Sequence, residues 1–196
     1  PSHLAIANEI VATWAATETN NLPRIELYGS EPASERSIAA LVGSLTGQRV
    51  LLLQASALPT GAVELEEMLH LWEREILLDG GILLLDCQGT NEGHTANNAI
   101  TRVVAVCAGA LIISSRELRT WSQCALLTFE VSKPTGDEQL AIWQAVLSRQ
   151  PVVPTSLMHK LISHFSLDET AIHAISANVQ GRLALSDREQ LPTTSE

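Results

Sequence analysis

Apolar positions recur along this chain at two periods, and the switching between them writes out a sequence of elements. In "HLAIANEIVATWAATE", Leu4, Ala7, Ile10, Val11 and Trp14 stand at helical spacing, and "TNNLP" stops the pattern before Pro23. "RIELYG" then predicts a first strand, "ASERSIAALVGSLTG" a helix ended by Gly47, and "RVLLLQ" a second strand. "GAVELEEMLHLWEREILLDGG" carries Leu65, Met68, Leu69, Trp72 and Ile76 on one face and Glu66, Glu67 and Glu73 on the other, and Gly80-Gly81 ends that helix. "ILLLD" follows as a third strand, "NNAITRVVAVCAG" as a helix, "ALIISS" as a fourth strand and "ALLTFEV" as a fifth. Runs this uniformly apolar predict strands buried on both faces, as in a parallel sheet covered by crossover helices.

After the fifth strand the grammar changes. "KPTGDEQLAIWQAVLSRQ" opens with Thr135 as N-cap and Glu138 three positions on, a capping box behind a proline. "PVVP" breaks the chain, and two short helical patterns, Ser156 to His164 and Asp168 to Ala177, precede a polar end from Gly181. The expected organisation is a three-layer α/β/α unit with a five-stranded, mainly parallel sheet over 1–150, led by a helix over 1–20. A small helical lid over 151–180 and a polar tail over 181–196 follow. There is no internal repeat and no low-complexity tract.

Composition narrows the chemistry. With 196 residues, 45% hydrophobic and 17% charged, the chain should fold. Pro1 at the start and "LPTTSE" at the end read as a segment of something longer. No apolar run approaches the roughly 18 residues of a membrane span, which points to a soluble protein. Cys87, Cys107 and Cys124 form an odd set without CxxC spacing, each in an apolar stretch, so they read as buried thiols of a reducing cytoplasm and not as disulfides or a metal site. Net charge is −10, from 22 acids against 12 bases, with no Lys/Arg run, which argues against direct nucleic-acid binding. His70, on the polar face of the Trp72 helix, reads as a solvated surface residue, and His159, His164 and His173, spread over the lid helices without acidic partners at metal spacing, as surface or packing residues. Trp72, Trp121 and Trp143 read as packing residues.

One stretch raises a sharper question. "LYGSEPASERS", Leu27 to Ser37, is a strand, a glycine, a tight loop and a helix, the place where a phosphate-binding loop belongs. A working loop needs G-x-x-x-x-G-K-[ST], so that backbone N–H groups cradle phosphates, the lysine neutralises them and the hydroxyl holds magnesium. Counting from Gly29, the sixth, seventh and eighth positions are Ser34, Glu35 and Arg36, and three of the four required identities are missing. Neither lysine of the chain, Lys133 or Lys160, follows a glycine. Ser34, Glu35 and Arg36 are expected at a surface loop and helix start, with Glu31 and Glu35 where a triphosphate would lie. Exchanging an ammonium for a carboxylate there reverses an interaction of about 1 kcal/mol per unit pair in water, and about 4 at an effective dielectric near 20. "ILLLDCQ" adds Asp86 where a magnesium-organising acid would end the third strand, or where an Asp merely ends it. Cys87 then replaces the acid that would orient water, and an ordinary thiol is mostly neutral at pH 7.

Taken in order, the Gly loop, "ILLLD", "LIISSR" and "FEVSKPTGDEQLAIWQAVL" before a helical lid resemble an AAA+ ATPase module across nearly the whole chain. The resemblance implies a sensor-1-like residue at Ser114 or Ser115, and an arginine at Arg116 or Arg119 that reaches a ring neighbour or forms a surface or interface ion pair. It also implies a lid without the sensor 2 arginine near Ile172 to His173. More narrowly, "LPRIELYGSEPASE", "ALPT", "HLWEREILLDGGILLLD" and "SSRE" resemble the P-loop-less first module of bacterial proteins that carry an intact AAA+ module downstream. Some of those proteins accompany phage-tail-like contractile injection machinery. That resemblance implies no cofactor for this segment, ATP and magnesium for the downstream module, a homo-oligomeric ring, protein partners and a cytoplasmic location. Two other readings fit the same motifs: a stand-alone interaction subunit, as in clamp loaders whose inactive subunits carry a GxEP-like loop, or weak ADP or ATP binding through the backbone without turnover.

Overall fold

A computed structural model describes residues 2–17, 22–89, 94–121, 126–147, 155–165, 167, 171–179 and 182. The elements run α1 (Ser2–Ala15), β1 (Arg24–Tyr28), α2 (Pro32–Thr46), β2 (Val50–Gln54), a 3-10 turn (Ala55–Ala57), α3 (Ala62–Asp79), β3 (Ile82–Asp86), α4 (His94–Val106), β4 (Ala110–Ser115), β5 (Leu126–Glu130), α5 (Gly136–Leu147) and α6 (Thr155–His164). Residues 171–179 are also helical. The five strands form one sheet in the order β2-β3-β4-β1-β5, and every pairing is parallel.

Strand parity sorts the core into two layers. Ile25, Leu27, Leu84 and Ile112 pack with Ile10 and Trp14 of α1 and Ile38 and Val42 of α2 on one face. Leu83, Leu85, Leu111 and Ile113 pack with Leu65 of α3 and Ile100 and Val103 of α4 on the other. Side chains alternate between faces along a strand, so each buried run supplies both layers at once. Trp72 packs against the second layer while its Nε1 donates to the Ala108 carbonyl at 3.0 Å. Gly47 stops α2 with φ of 68°, a left-handed conformation that favours glycine.

Burial on both faces holds for β3 and β4, every residue of which is buried. It fails for β2: Leu51 and Leu52 are exposed although "VLLLQ" is as apolar as the other strands. The reason is position, since β2 is an edge strand and Leu65 is the only buried residue of α3. A second difference concerns the domain boundary, expected near residue 150. Two compact units are seen, 1–132 and 133–196, and α5 belongs to the second. Its Trp143 is buried with Met158 and Ile172, so the apolar stripe of α5 is satisfied inside the helical unit.

The capping box of α5 is formed. The Thr135 N–H donates to Glu138 Oε2 at 2.8 Å, and the Glu138 N–H donates to Thr135 Oγ1 at 3.4 Å. Thr135→Ala is expected to destabilise the helical unit by about 1 kcal/mol, the usual cost of losing an N-cap oxygen. Thermal melts of the two chains followed by far-ultraviolet circular dichroism measure it; unchanged melting in the variant would mean that water caps the helix equally well.

Candidate functional site

The C-terminal ends of β1, β3 and β4 lie side by side, and the first turns of α2 sit above them. In an open α/β sheet this edge is where ligands bind. Gly29 leaves β1 with its N–H donating to the Ser115 carbonyl at 3.0 Å, while the Val131 N–H donates to the Tyr28 carbonyl at 2.8 Å. The backbones are so close that a Cβ on Gly29 would collide with the Val131 carbonyl oxygen.

Only Gly29, Ser30 and Glu31 separate the strand from the helix, because α2 already begins at Pro32. Pro32 has no N–H. The N–H groups of Ser34 and Glu35 both donate to the Glu31 carbonyl, at 3.0 and 3.4 Å. Two of the backbone donors at the start of this helix are thus engaged within its first turn.

The side chains complete the same picture, and here the expectation of a surface loop is corrected. Ser34 and Glu35 are buried, at 2% and 0% exposure; only Arg36 of the three is exposed. The Glu35 side chain is turned inward. Ser114 Oγ donates to its carboxylate, and Gln88 Nε2 lies 3.0 Å from each of its oxygens. Arg36 Nη2 donates to Asp86 Oδ2 at 2.6 Å, and the Gln88 N–H donates to Asp86 Oδ1 at 3.1 Å. Four of the expected site residues, Glu35, Arg36, Asp86 and Ser114, therefore meet in one network, closed by Gln88.

Burial raises the Glu35 pKa from 4.5 to about 7; Asp86 pushes the same way, and Ser114, Gln88 and Arg36 oppose it. Two buried oxygens in this region, Ser34 Oγ and Gln88 Oε1, have no partner among the described residues. A flip of the Gln88 amide would let Oε1 accept from a protonated Glu35, because the two amide orientations are interchangeable in shape.

Ser115, adjacent in sequence to Ser114, serves the other face. Its Oγ donates to Glu26 Oε1 at 2.9 Å, and the same carboxylate accepts the Arg119 N–H at 3.2 Å and Trp121 Nε1 at 3.0 Å. Trp121, read from sequence as packing, is thus also a hydrogen-bond donor. Cys87 is buried on this face; desolvation pushes its thiol up to about 12, with Arg119 opposing. It is neutral at neutral pH and cannot act as a base there. Cys107 is likewise buried, its thiol raised to about 11, chiefly by desolvation. Cys124 lies outside the described residues. Arg116 is exposed, and neither arginine side chain joins the network around Glu35.

Glu26 and Gln88 were not singled out in the sequence. An acid between two large aliphatic residues, Ile25 and Leu27, is the one available signal for Glu26. Gln88 has none, because only the meeting of β3 with α2 gives it a role. Among the described residues no group of His, Cys, Asp and Glu could hold a metal ion. No helix of the described residues is long and apolar enough to cross a membrane.

Comparison with known proteins gives one match confined to the second unit and others that extend over nearly the whole chain. The family described as contractile injection system ATPase helical domain matches residues 135–195. No curated protein matches the chain. Among solved structures, the RuvB Holliday junction branch migration motor of Thermotoga maritima is similar, with a TM-score of 0.66 and 14% identity over 95% of this chain and 62% of that one. A mutant of the same protein gives a TM-score of 0.64 at 13% identity, over 95% of this chain and 63% of that one. The chain thus spans somewhat under two thirds of the length of these structures, and it shares their AAA+ fold.

Proposed function

We propose that this chain is a nucleotide-incompetent AAA+ module, the site of which is filled by its own side chains, and that it supports oligomerisation and regulation of an active AAA+ module in the same polypeptide. The observation that carries this reading is the network of Glu35, Arg36, Asp86, Gln88 and Ser114. Arg36 gives Asp86 a fixed cation, so that acid has no need of magnesium. Glu35, in the place of the phosphate-binding lysine, is held by Ser114 and Gln88. The residues present do not fit magnesium and ATP: the Ser34 and Glu35 N–H groups are engaged within the helix turn, a carboxyl replaces the ammonium, and a neutral buried thiol at Cys87 replaces the acid that would orient water.

The match of residues 135–195 to a contractile injection system ATPase helical domain supports placing the longer protein among the ATPases of such machines. In that setting the chain forms part of a cytoplasmic homo-oligomeric ring, contacts protein partners and does not itself bind nucleic acid. ATP and magnesium are required by the active module alone.

Calorimetry of the chain with magnesium and ATP, and separately with ADP, tests the central claim. No saturable heat is expected at millimolar ligand. A dissociation constant in the low micromolar range, about −8 kcal/mol, would overturn the proposal, because the internal network would then have to give way to the ligand.

A further inference from the structure

We propose that the free edge of β2 is a docking site, which takes as a sixth strand an extended segment of another protein in which aliphatic residues alternate with lysine or arginine. Among the described residues β2 pairs with β3 alone, so its outer row of backbone N–H and carbonyl groups faces no strand. Edge strands that stay single usually carry a charge, a proline or a bulge that blunts them. β2 has none of these: it is uncharged, and its pairing with β3 runs in unbroken register from Val50 to Gln54.

The side chains left open say what kind of segment fits. Leu51 lies on the α3 face of the sheet, beside Leu83, and Leu52 on the α2 face, beside Leu84; they are 42% and 49% exposed. A docked helix would cover one of these faces, whereas an added strand places side chains over both. Main-chain hydrogen bonds to the edge then supply affinity, and the two leucines select aliphatic neighbours.

The charge of the segment follows from α3. Its flank toward α4 carries Glu66, 3.6 Å from Arg102. Leu71 and Leu78, two turns apart and both exposed, lie on the other flank, toward the β2 edge, with Glu67 and Glu64 one and two turns before Leu71. α3 holds Asp79 and five glutamates against a single arginine, Arg74. Arg49, Arg74 and Arg102 face Asp79, Glu75 and Glu66, which leaves Glu64 and Glu67 without an arginine among the described residues. Lysine or arginine stems of an added strand can lie along Leu51 and Leu71 while their charged ends reach these two carboxylates. A second copy paired antiparallel about a two-fold axis would instead set its own acidic α3 on the same face of the sheet, like charge against like.

Fluorescence anisotropy of a labelled peptide of about eight residues, valine alternating with lysine, titrated with the chain at constant ionic strength tests the proposal. A dissociation constant below about 100 μM is expected. The counterpart of valine and glutamate should bind at least about tenfold more weakly. So should the first peptide methylated on its central backbone nitrogens, which cannot donate to the edge. Leu52→Lys should weaken the first peptide by about tenfold and Glu67→Lys by about threefold. Both positions are exposed, and circular dichroism checks that the variants fold. Failure to saturate by about 1 mM overturns the proposal. A methylated peptide that binds as tightly as its parent does so too, because the attraction would then be charge alone. Sedimentation of the chain without peptide supplies the last outcome: a dimer that Leu52→Lys dissociates makes a second copy the occupant and overturns the proposal as well.

Discussion

Replacement of Glu26 by alanine is expected to cost the chain at least about 3 kcal/mol of folding stability, the largest single-residue effect in the sheet. The carboxylate is completely buried on β1, between β4 and β5, and accepts from the Ser115 hydroxyl, the Arg119 N–H and the Trp121 indole. Alanine removes all three acceptor contacts at once and leaves a void. Each donor left buried and unpaired costs about 1–3 kcal/mol. Glu26→Gln keeps the shape and one acceptor but sets an NH₂ group against a donor, so a loss of about 1–2 kcal/mol is expected. Urea denaturation at neutral pH measures both. A Glu26→Ala chain within about 0.5 kcal/mol of the parent would show that water enters and serves the three donors instead.

The second large effect is a dependence of stability on pH that has Glu35 as its source. In the folded chain the Glu35 carboxyl titrates near pH 7, chiefly because burial penalises its ionised form, against 4.5 ordinarily. Below pH 4.5 both folded and unfolded states hold the proton, and the group's contribution is fully present. Between 4.5 and about 7 the unfolded chain releases it while the folded chain keeps it, so stability falls as pH rises. At 1.36 kcal/mol per pH unit the loss is on the order of 3 kcal/mol by the time pH passes the folded value. Glu35→Gln removes this contribution and keeps an amide able to pair with Gln88. The variant should therefore gain on the parent from pH 5 to about pH 7 and hold that gain to pH 8 in urea denaturation. Parallel pH profiles for the two chains would mean that Glu35 is ionised in the folded state across the range.

Much of the fold follows from local pattern. Each of the five strands, the glycine that ends α2 and the capping box of α5 falls where periodicity and turn chemistry put it, because those signals are carried by neighbours in sequence. What escaped was decided between distant segments. "VLLLQ" and "ILLLD" are equivalent as strings, and only strand order makes the first an edge and the second a centre. Likewise "SEPASERS" reads as a polar surface loop, yet Ser34 and Glu35 turn inward. Ser114, 79 positions away, supplies a hydroxyl, and Gln88, 53 positions away, supplies an amide. The position of the site was legible from Gly29 and Asp86; its internal pairing was not.

Gly29 has a consequence for how such sites are found by sequence search. A phosphate loop asks for a small residue there so that a ligand can approach, but in this chain the demand comes from the Val131 carbonyl of the neighbouring segment. That demand persists whether or not a ligand ever arrives. Selection relaxed on phosphate binding would free Ser34, Glu35 and Arg36 to drift toward whatever pairs best with Ser114, Gln88 and Asp86, while the glycine stayed fixed by its surroundings. The first letter of the motif would then be its most durable and its least informative.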